Sequence, residues 1–174
     1  LREAGLAAGQ RVLVVGAAGG VGSLAVQYAR INGAHVTAVA SAGAQDFLAG
    51  LAPDRAIDYS REDWKALPER FDIVLDASGT STFPECRRLL APGGAYVHSL
   101  PNAALYCWSW WLKLTARERV MPVMERPTLA DLETLVRLAS DGSLKSVVTR
   151  VGRPGDVPEL QREMALGHNR GKIV

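Results

Sequence analysis

A run of small residues near the start of the chain has the spacing of a phosphate-binding turn. It reads Gly16-Ala17-Ala18-Gly19-Gly20-Val21-Gly22 and follows a short, β-branched apolar stretch. This is the dinucleotide fingerprint G-x-G-x-x-G with Ala17 in place of its first glycine. Gly19 would let the backbone approach a pyrophosphate at a positive helix N-terminus, and Gly22 would let that helix pack closely on the sheet. The residues predicted to hold the pyrophosphate are Gly19, Gly20, Val21 and Gly22, and Ala18 is predicted to bind the cofactor beside them. A tight structural turn is the alternative.

The end of the second predicted strand bears on which dinucleotide this turn would bind. Domains that bind NAD place Asp or Glu there, about 20 residues further on, to hold the ribose hydroxyls. Here the strand ends Val39-Ala40-Ser41-Ala42-Gly43, and the first acid is Asp46. A small hydroxyl with open backbone amides can accept a 2′-phosphate, which a carboxylate would repel. The sequence therefore favours NADP(H), with Ser41 at the 2′-phosphate, unless Ser41 only caps the next short helix.

Strand and helix patterns alternate along the first hundred residues. The predicted strands are residues 12–15, 35–40, 56–59, 71–76 and 95–99, and the helices between them cover residues 23–30, 45–50, 64–67 and 83–90. A capping box over residues 60–63 is predicted to begin the helix at 64–67. This alternation predicts an α/β fold, a Rossmann-type doubly wound parallel sheet with helices on both faces, over residues 1–174.

The second half of the chain carries one amphipathic helix and one unusual segment. A capping box from Thr128 to Asp131 begins the helix, whose apolar face is formed by Leu129, Leu132, Leu135, Val136 and Ala139. Late strands at 146–149 and 172–174 flank a further helix near 157–166. The segment 105–112 holds three of the four tryptophans. It is interpreted as domain core or a homodimer interface, with a substrate-pocket wall or a membrane contact as alternatives.

Composition excludes several classes of function. The 174 residues are 48% hydrophobic with a net charge of +2, so nothing demands nucleic acid or an anionic membrane as a partner. The two cysteines do not suggest a disulfide framework, which favours the cytoplasm, and no metal-ligand spacing occurs among the histidines and cysteines. No Tyr-x-x-x-Lys pair or P-loop is present. The chain starts without Met, so it is interpreted as part of a longer protein.

The motifs quoted above, taken together, resemble the medium-chain dehydrogenase/reductase superfamily. Further similar stretches are Ile57-Asp58-Tyr59, Asp72 to Asp76 with Gly79, Leu90-Ala91-Pro92-Gly93-Gly94, and the closing Arg170 to Val174. The form A-x-G-G-V-G of the glycine turn is similar to that of the quinone oxidoreductase and enoyl reductase branch. The resemblance implies zinc-independent hydride transfer from NADPH to the activated C=C of an enone, quinone or enoyl thioester. It also implies that a catalytic domain preceding this segment is absent.

The resemblance extends to individual positions of the cofactor site. Ser41 and Tyr59 match positions around the adenosine 2′-phosphate, and Ser78 and Gly79 match the loop beside the cofactor. Two further pairs complete the expected site: Ser99 with Leu100 near the nicotinamide, and Asn169 with Arg170 in the closing segment. The family often has a Lys just after the second strand. This chain has Ala44, Gln45 and Asp46 there, and no proton donor is assigned.

Several forms of parent protein fit these expectations. A stand-alone reductase and an enoyl reductase domain of a polyketide or fatty-acid synthase fit equally, with a small molecule or an acyl thioester as substrate. A non-catalytic nucleotide-binding or scaffold module is a different class of function. The cofactor domain of a zinc alcohol dehydrogenase is a third.

Overall fold

The structure is a computed structural model that describes residues 1–100, 102–115, 118–123, 128–165 and 170–174. The strands are β1 (Arg11–Val15), β2 (His35–Ala40), β3 (Arg55–Asp58), β4 (Phe71–Asp76), β5 (Leu90–His98), β6 (Arg119–Pro122), β7 (Val148–Arg150) and β8 (Lys172–Ile173). The helices are α1 (Gly20–Ile31), α2 (Gln45–Leu51), α3 (Phe83–Cys86), α4 (Ala103–Thr115), α5 (Leu129–Ser140) and α6 (Val157–Ala165).

The main sheet is parallel and has the strand order β3-β2-β1-β4-β5-β6. The chain builds outward from β1 to β3 and then crosses back to build β4 to β6 on the other side of β1. Parallel sheets that reverse in this way leave a crevice at the carboxyl ends of the two strands where the direction changes. Here that crevice lies between β1 and β4. The predicted doubly wound, Rossmann-type sheet is confirmed.

Both faces of the sheet are covered, which explains why its strands read as unbroken apolar runs. Val12 and Val14 of β1 face one core, which also contains the α1 residues Ala25, Val26 and Ala29. The other core lies on the opposite face; its members include Leu13, Val15, Val74, Phe83, Tyr96, Leu105 and Leu112. Helices α1 and α2 therefore cover one face, and α3 and α4 cover the other.

Two local predictions need correction. Strand β6 was not predicted, because its sequence Arg-Val-Met-Pro is only four residues long and contains a proline, which is unusual in strands. The edge position explains why Pro122 is tolerated there. The predicted capping box at 60–63 is wrong: Asp63 caps a 3₁₀ turn at Trp64–Ala66 by accepting a hydrogen bond from Lys65 N, at 3.0 Å. The Ser60 hydroxyl instead donates to Asp58.

Helix α5 begins as predicted, but its apolar face is not buried. Thr128 and Asp131 form the capping box, with the Thr128 hydroxyl 2.6 Å from Asp131 Oδ2. We call the exposed apolar residues of this helix the α5 stripe; they are Leu129, Leu132, Leu135 and Val136, exposed by 73%, 51%, 44% and 64%. Leu138, on another side of the helix, is buried. Periodicity identified the amphipathic helix correctly, but it does not reveal what covers the apolar side.

The tryptophan-rich segment lies in α4. Leu105 and Leu112 are buried in the core, and the Trp108 ring lies 5.3 Å from the Phe83 ring. The inner side of the segment is therefore core, as one interpretation held, whereas Trp110 and Trp111 are exposed. Among the described helices, none combines the length and the apolar character needed to cross a membrane.

Candidate functional site

A cavity of about 790 Å³ opens at the carboxyl ends of β1, β2 and β4. It occupies the crevice where the direction of strand order changes, the usual ligand position in such sheets. Of the residues predicted to bind a dinucleotide, five line it: Ala18, Gly19, Ser41, Tyr59 and Ser78. The other described ones do not line it; they are Gly20, Val21, Gly22, Gly79, Ser99, Leu100 and Arg170. Asn169 falls outside the described residues.

The glycine turn has the geometry that its sequence predicts. A Cβ at Gly22 would collide with the carbonyl oxygen of Gly16 and lie 2.8 Å from Ala17 Cα, so only glycine permits this close packing of α1 on the turn. Gly19 is the N-cap of α1 and supplies no side-chain cap. The first backbone amides of α1 are therefore available to an anion, which the positive end of the helix also favours.

Gly16 is a further residue that lines the cavity, and the sequence analysis assigned it no role. Its φ of +74° is a conformation that favours glycine, and a Cβ there would lie 2.8 Å from Ser78 Cβ. The turn after β1 and the loop after β4 are thus in direct contact. The strand-end glycine that precedes Ala17 was the available signal.

The loop after β2 presents Ser41 to the cavity. Ser41 is the N-cap of a 3₁₀ turn at Ala42–Ala44, but its side chain makes no capping hydrogen bond. The alternative reading of Ser41 as a capping side chain is therefore wrong. Tyr59 is held nearby through its backbone N–H, which donates to Ala40 O at 3.1 Å. Asp46 is exposed in the first turn of α2 and does not line the cavity.

The closing segment of the chain lies against the glycine turn. Gly171 N donates to Ala18 O at 2.7 Å, and Gly171 also forms a β-bridge with Gly19. This contact places Arg170 beside the loop after β2, where a Cβ at Gly43 would lie 3.2 Å from its guanidinium Nη2. The closing segment thus contacts the glycine turn, and the assignment of Arg170 to the cofactor stays a prediction.

Charged residues after β3 also line the cavity, and sequence reasoning assigned them no role in ligand binding. Arg61 lies 3.5 Å from Asp58, and Lys65 lies 2.6 Å from Glu85. The hydrogen bonds from Lys65 and then Thr82 lower the pKa of Glu85 to about 2. Glu62 forms an ion pair with Arg55. Their position after a strand end was the signal that could have identified them.

A buried carboxylate organises the loop after β4. Asp76 Oδ1 accepts hydrogen bonds from Ser78 N, Ser78 Oγ and Gly79 N at 3.0, 2.9 and 2.7 Å. Asp76 Oδ2 accepts from Ser81 N and Ser81 Oγ at 2.7 and 2.5 Å. Burial raises the pKa of Asp76, but the hydrogen bonds from Ser81, Ser78 and Gly79 outweigh burial and hold it below its ordinary value. Asp76 is therefore an ionised anchor of the loop at neutral pH.

The other buried groups beneath this loop are poorly suited to acid, base or nucleophilic work. Burial raises the pKa of the Cys86 thiol to about 11 and also raises the pKa of Tyr96. The Tyr96 hydroxyl donates to Ser81 O at 2.9 Å. A thiol with so high a pKa stays protonated at neutral pH, so Cys86 is a core residue. Among the described residues, no group of three or more His, Cys, Asp or Glu could hold a metal ion.

The strand order, the crevice and the glycine turn define a nucleotide-binding domain of the Rossmann type. Residues 51–174 match the family described as zinc-binding dehydrogenase. The chain is 26% identical over 170 residues to a chloroplastic quinone-oxidoreductase homolog of Spinacia oleracea, with 95% of this chain and 52% of the relative covered. It is 29% identical over 175 residues to an acryloyl-coenzyme A reductase of Metallosphaera sedula, with 100% and 53% covered.

A solved structure, the quinone oxidoreductase from Coxiella burnetii, superimposes with a TM-score of 0.87 at 27% identity. The superposition covers 99% of this chain and 54% of that one. The chain belongs to the zinc-binding dehydrogenase family, in the quinone and enoyl reductase branch of the medium-chain dehydrogenase/reductase superfamily, as the sequence motifs implied. It spans about half the length of these relatives.

Proposed function

We propose that the chain is the NADP(H)-binding domain of a zinc-independent reductase that transfers hydride to an activated C=C. The observation that carries the proposal is the corner of the cavity after β2. Ser41 lines it, the Arg170 guanidinium lies beside Gly43, and no Asp or Glu occupies the ribose-binding position after β2. Rossmann domains that prefer NADP commonly hold the 2′-phosphate with an Arg, whereas NAD domains use a carboxylate.

Arg170 supplies the positive charge that the loop after β2 itself lacks. Lys65 and Arg61 also border the cavity, but both lie against carboxylates, Glu85 and Asp58. A guanidinium binds phosphate through paired, charge-assisted hydrogen bonds, which are about twice as strong as neutral ones. In this proposal Arg170 replaces the lysine that the family often places after the second strand.

The remainder of the dinucleotide extends along the carboxyl ends of the strands, from the β2 side past β1 to the β4 and β5 side. The amides of Gly20, Val21 and Gly22 bind the pyrophosphate at the start of α1, in a dipole field that favours anions. The loops after β4 and β5, with Ser78, Gly79, Ser99 and Leu100, then border the nicotinamide. Bound there, the nicotinamide supplies the hydride, and the chain contributes binding and orientation. No proton donor is assigned.

The substrate proposed is an enone, a quinone or an enoyl thioester. Two supports are the form of the glycine turn and the names of the relatives, a quinone-oxidoreductase homolog and an acryloyl-coenzyme A reductase. Because the chain spans half of those proteins, turnover is proposed for a longer protein. The α5 stripe supports this, since an apolar surface of four large side chains is typical of a face that another part of the protein covers. A cytoplasmic location and a homodimer remain proposals.

The activity is tested on the longer protein that contains this chain. NADPH carrying deuterium at the transferable position is mixed with a cyclic enone, a benzoquinone or a 2-enoyl-coenzyme A, and the product is examined by mass spectrometry. With the enone or the enoyl-coenzyme A, incorporation of one carbon-bound deuterium into the product is expected, unchanged after treatment with a chelator. With the benzoquinone, the expected result is NADPH-dependent formation of the hydroquinone, because deuterium on its oxygen exchanges with water. Failure with all three acceptors, while NADPH still binds, would favour a non-catalytic nucleotide-binding module.

A further inference from the structure

We propose that His98, held against Asp76, is a positioning residue that fixes the two loops at the nicotinamide end of the site relative to each other. The inference rests on the proposed binding of NADP(H). Ser41 and Tyr59 lie at the β2–β3 side of the cavity, and the glycine turn lies at its centre. A dinucleotide with its adenosine at the first side therefore has its nicotinamide on the other side, at the carboxyl ends of β4 and β5.

Asp76 and His98 occupy equivalent ends of neighbouring strands. They face each other in the β4–β5 register, and both are buried, with exposed fractions of 0% and 3%. The Asp76 carboxylate already binds the loop after β4 through its bonds to Ser78, Gly79 and Ser81. His98 Nε2 lies 3.8 Å from Asp76 Oδ2, so the imidazole connects the carboxylate itself to the end of the next strand, where Tyr96 also bonds to Ser81 O.

His98 in turn determines the path of the loop after β5. Leu100 N donates to His98 Nδ1 at 3.1 Å. Because Nδ1 accepts a hydrogen bond, the neutral ring carries its proton on Nε2, which faces the carboxylate of Asp76. The backbone strengthens the same link, since Ser99 N donates to Asp76 O at 3.0 Å. One imidazole thus joins the anchor of one loop to the backbone of the other.

The two loops also touch each other above this pair. Gly79 has a φ of +71°, and a Cβ there would lie 2.6 Å from Leu100 Cδ1. Leu100 is 62% exposed, so its side chain packs on Gly79 at the surface of the site. Loss of the Leu100 N–His98 bond would free the loop after β5 and widen this contact. We therefore expect weaker binding of the nicotinamide half of the dinucleotide and unchanged binding of the adenosine half.

If His98 were only a core residue, its replacement would affect all ligands of the site equally. Two ligands therefore distinguish a positioning role from a packing role. NADPH and 2′-phospho-ADP-ribose share every group except the nicotinamide. The His98→Leu variant of this chain removes both ring nitrogens. We expect its affinity for NADPH to fall about tenfold while its affinity for 2′-phospho-ADP-ribose changes less than twofold, both measured by calorimetry.

The His98→Asn variant keeps an acceptor near the Nδ1 position and is expected to restore most of the NADPH affinity. If His98→Leu does not fold, the affinities of His98→Asn for the two ligands are compared instead. Leu48→Ala is the matched control, because Leu48 is buried in the core on the opposite face of the sheet. It is expected to lower the melting temperature and to leave the ratio of the two affinities unchanged. Equal loss of both ligands in His98→Leu, or loss of neither, overturns the positioning role. A wild-type chain that binds neither ligand contradicts the proposed function itself.

Discussion

The amide of Gly171 donates a 2.7 Å hydrogen bond to the carbonyl of Ala18, so the end of the chain lies against the turn that follows its first strand. The two residues are separated by most of the sequence. This single contact brings the neighbouring Arg170 to the loop after β2, beside Gly43. The proposed preference for NADP(H) depends on that long-range contact as much as on the local residues Ser41 and Tyr59.

The first prediction concerns Arg170. Arg170→Gln removes the cation proposed to bind the 2′-phosphate, and a hydrogen bond to a charged group contributes about 1.5–3 kcal/mol. The affinity for NADPH should therefore fall at least about tenfold, whereas the affinity for NADH should hardly change. Arg137→Gln, on the exposed surface of α5, is the charge-matched control. Equal effects on NADPH and NADH would rule out a role in 2′-phosphate recognition.

The second prediction tests the packing of the glycine turn. In Gly22→Ala the new Cβ collides with the Gly16 carbonyl, so the turn or α1 must move. Overpacking of this kind costs about 1–3 kcal/mol in the free energy of unfolding, and binding of the dinucleotide should be lost with the geometry. The measurement is urea denaturation together with calorimetry.

Gly50→Ala is the control for this substitution. Gly50 lies in α2, and no atom lies within 4 Å of a Cβ built there. Alanine is the better helix former by about 1 kcal/mol, so this variant should be slightly more stable than the wild-type chain. A Gly22→Ala chain as stable as Gly50→Ala would show that the turn is looser than the structure indicates.

The third prediction concerns Asp76 and acid stability. The pKa of Asp76 is lower in the folded chain than its ordinary value of 3.8. Its contribution to stability is therefore present above that pH and is lost as the pH falls through the lower, folded-state pKa. Asp76→Asn should lose about 1–3 kcal/mol at neutral pH, because one carboxylate oxygen becomes an amide NH2 that cannot accept, and the donors on that side, either those of buried Ser81 or those of Ser78 and Gly79, lose their acceptor.

Denaturant unfolding at a series of pH values measures this effect. The difference between wild type and Asp76→Asn should narrow as the pH falls below about 3.8. A difference that is constant over the whole acid range would mean that the charge of Asp76 does not stabilise the fold.

The fourth prediction concerns the α5 stripe. The double variant Leu132→Glu/Leu135→Glu should change the free energy of unfolding of this chain by less than about 0.5 kcal/mol, because both side chains are already exposed. Leu138→Ala, at the buried position of the same helix, should cost about 2–5 kcal/mol. In the longer protein the double variant should be strongly destabilised. If it is as stable there as the wild type, the stripe is not covered by the rest of that protein.

Local sequence patterns were sufficient to predict the strands, turns and helices that position the site. The glycine turn and the end of β2 each depend on residues within a few positions of one another, so the sequence predicted the close packing at Gly22 and the two positions, Gly19 and Ser41, that line the cavity. The doubly wound parallel sheet followed from the alternation of strands and helices, because right-handed crossovers leave few arrangements open. The order of its six strands comes from the structure.

The parts that the sequence did not reveal depend on contacts between distant segments. Asp76 and His98 meet only through the β4–β5 register, and no local pattern specifies that register. Strand β6 was missed because its pairing with β5, rather than its composition, makes it a strand. For the α5 stripe the helix was predicted but its exposure was not, since an amphipathic pattern indicates an apolar side and does not show what packs against it.

The central claim, that the crevice between β1 and β4 binds NADP(H), is tested most directly by titrating the chain with NADPH and with NADH. Trp64 lines the cavity, so its fluorescence is expected to report binding, with calorimetry as a second readout. We predict saturable binding of both, with NADPH tighter by at least about tenfold through the charge-assisted bonds of Arg170. Equal or tighter binding of NADH, or no binding of either dinucleotide, would contradict the claim.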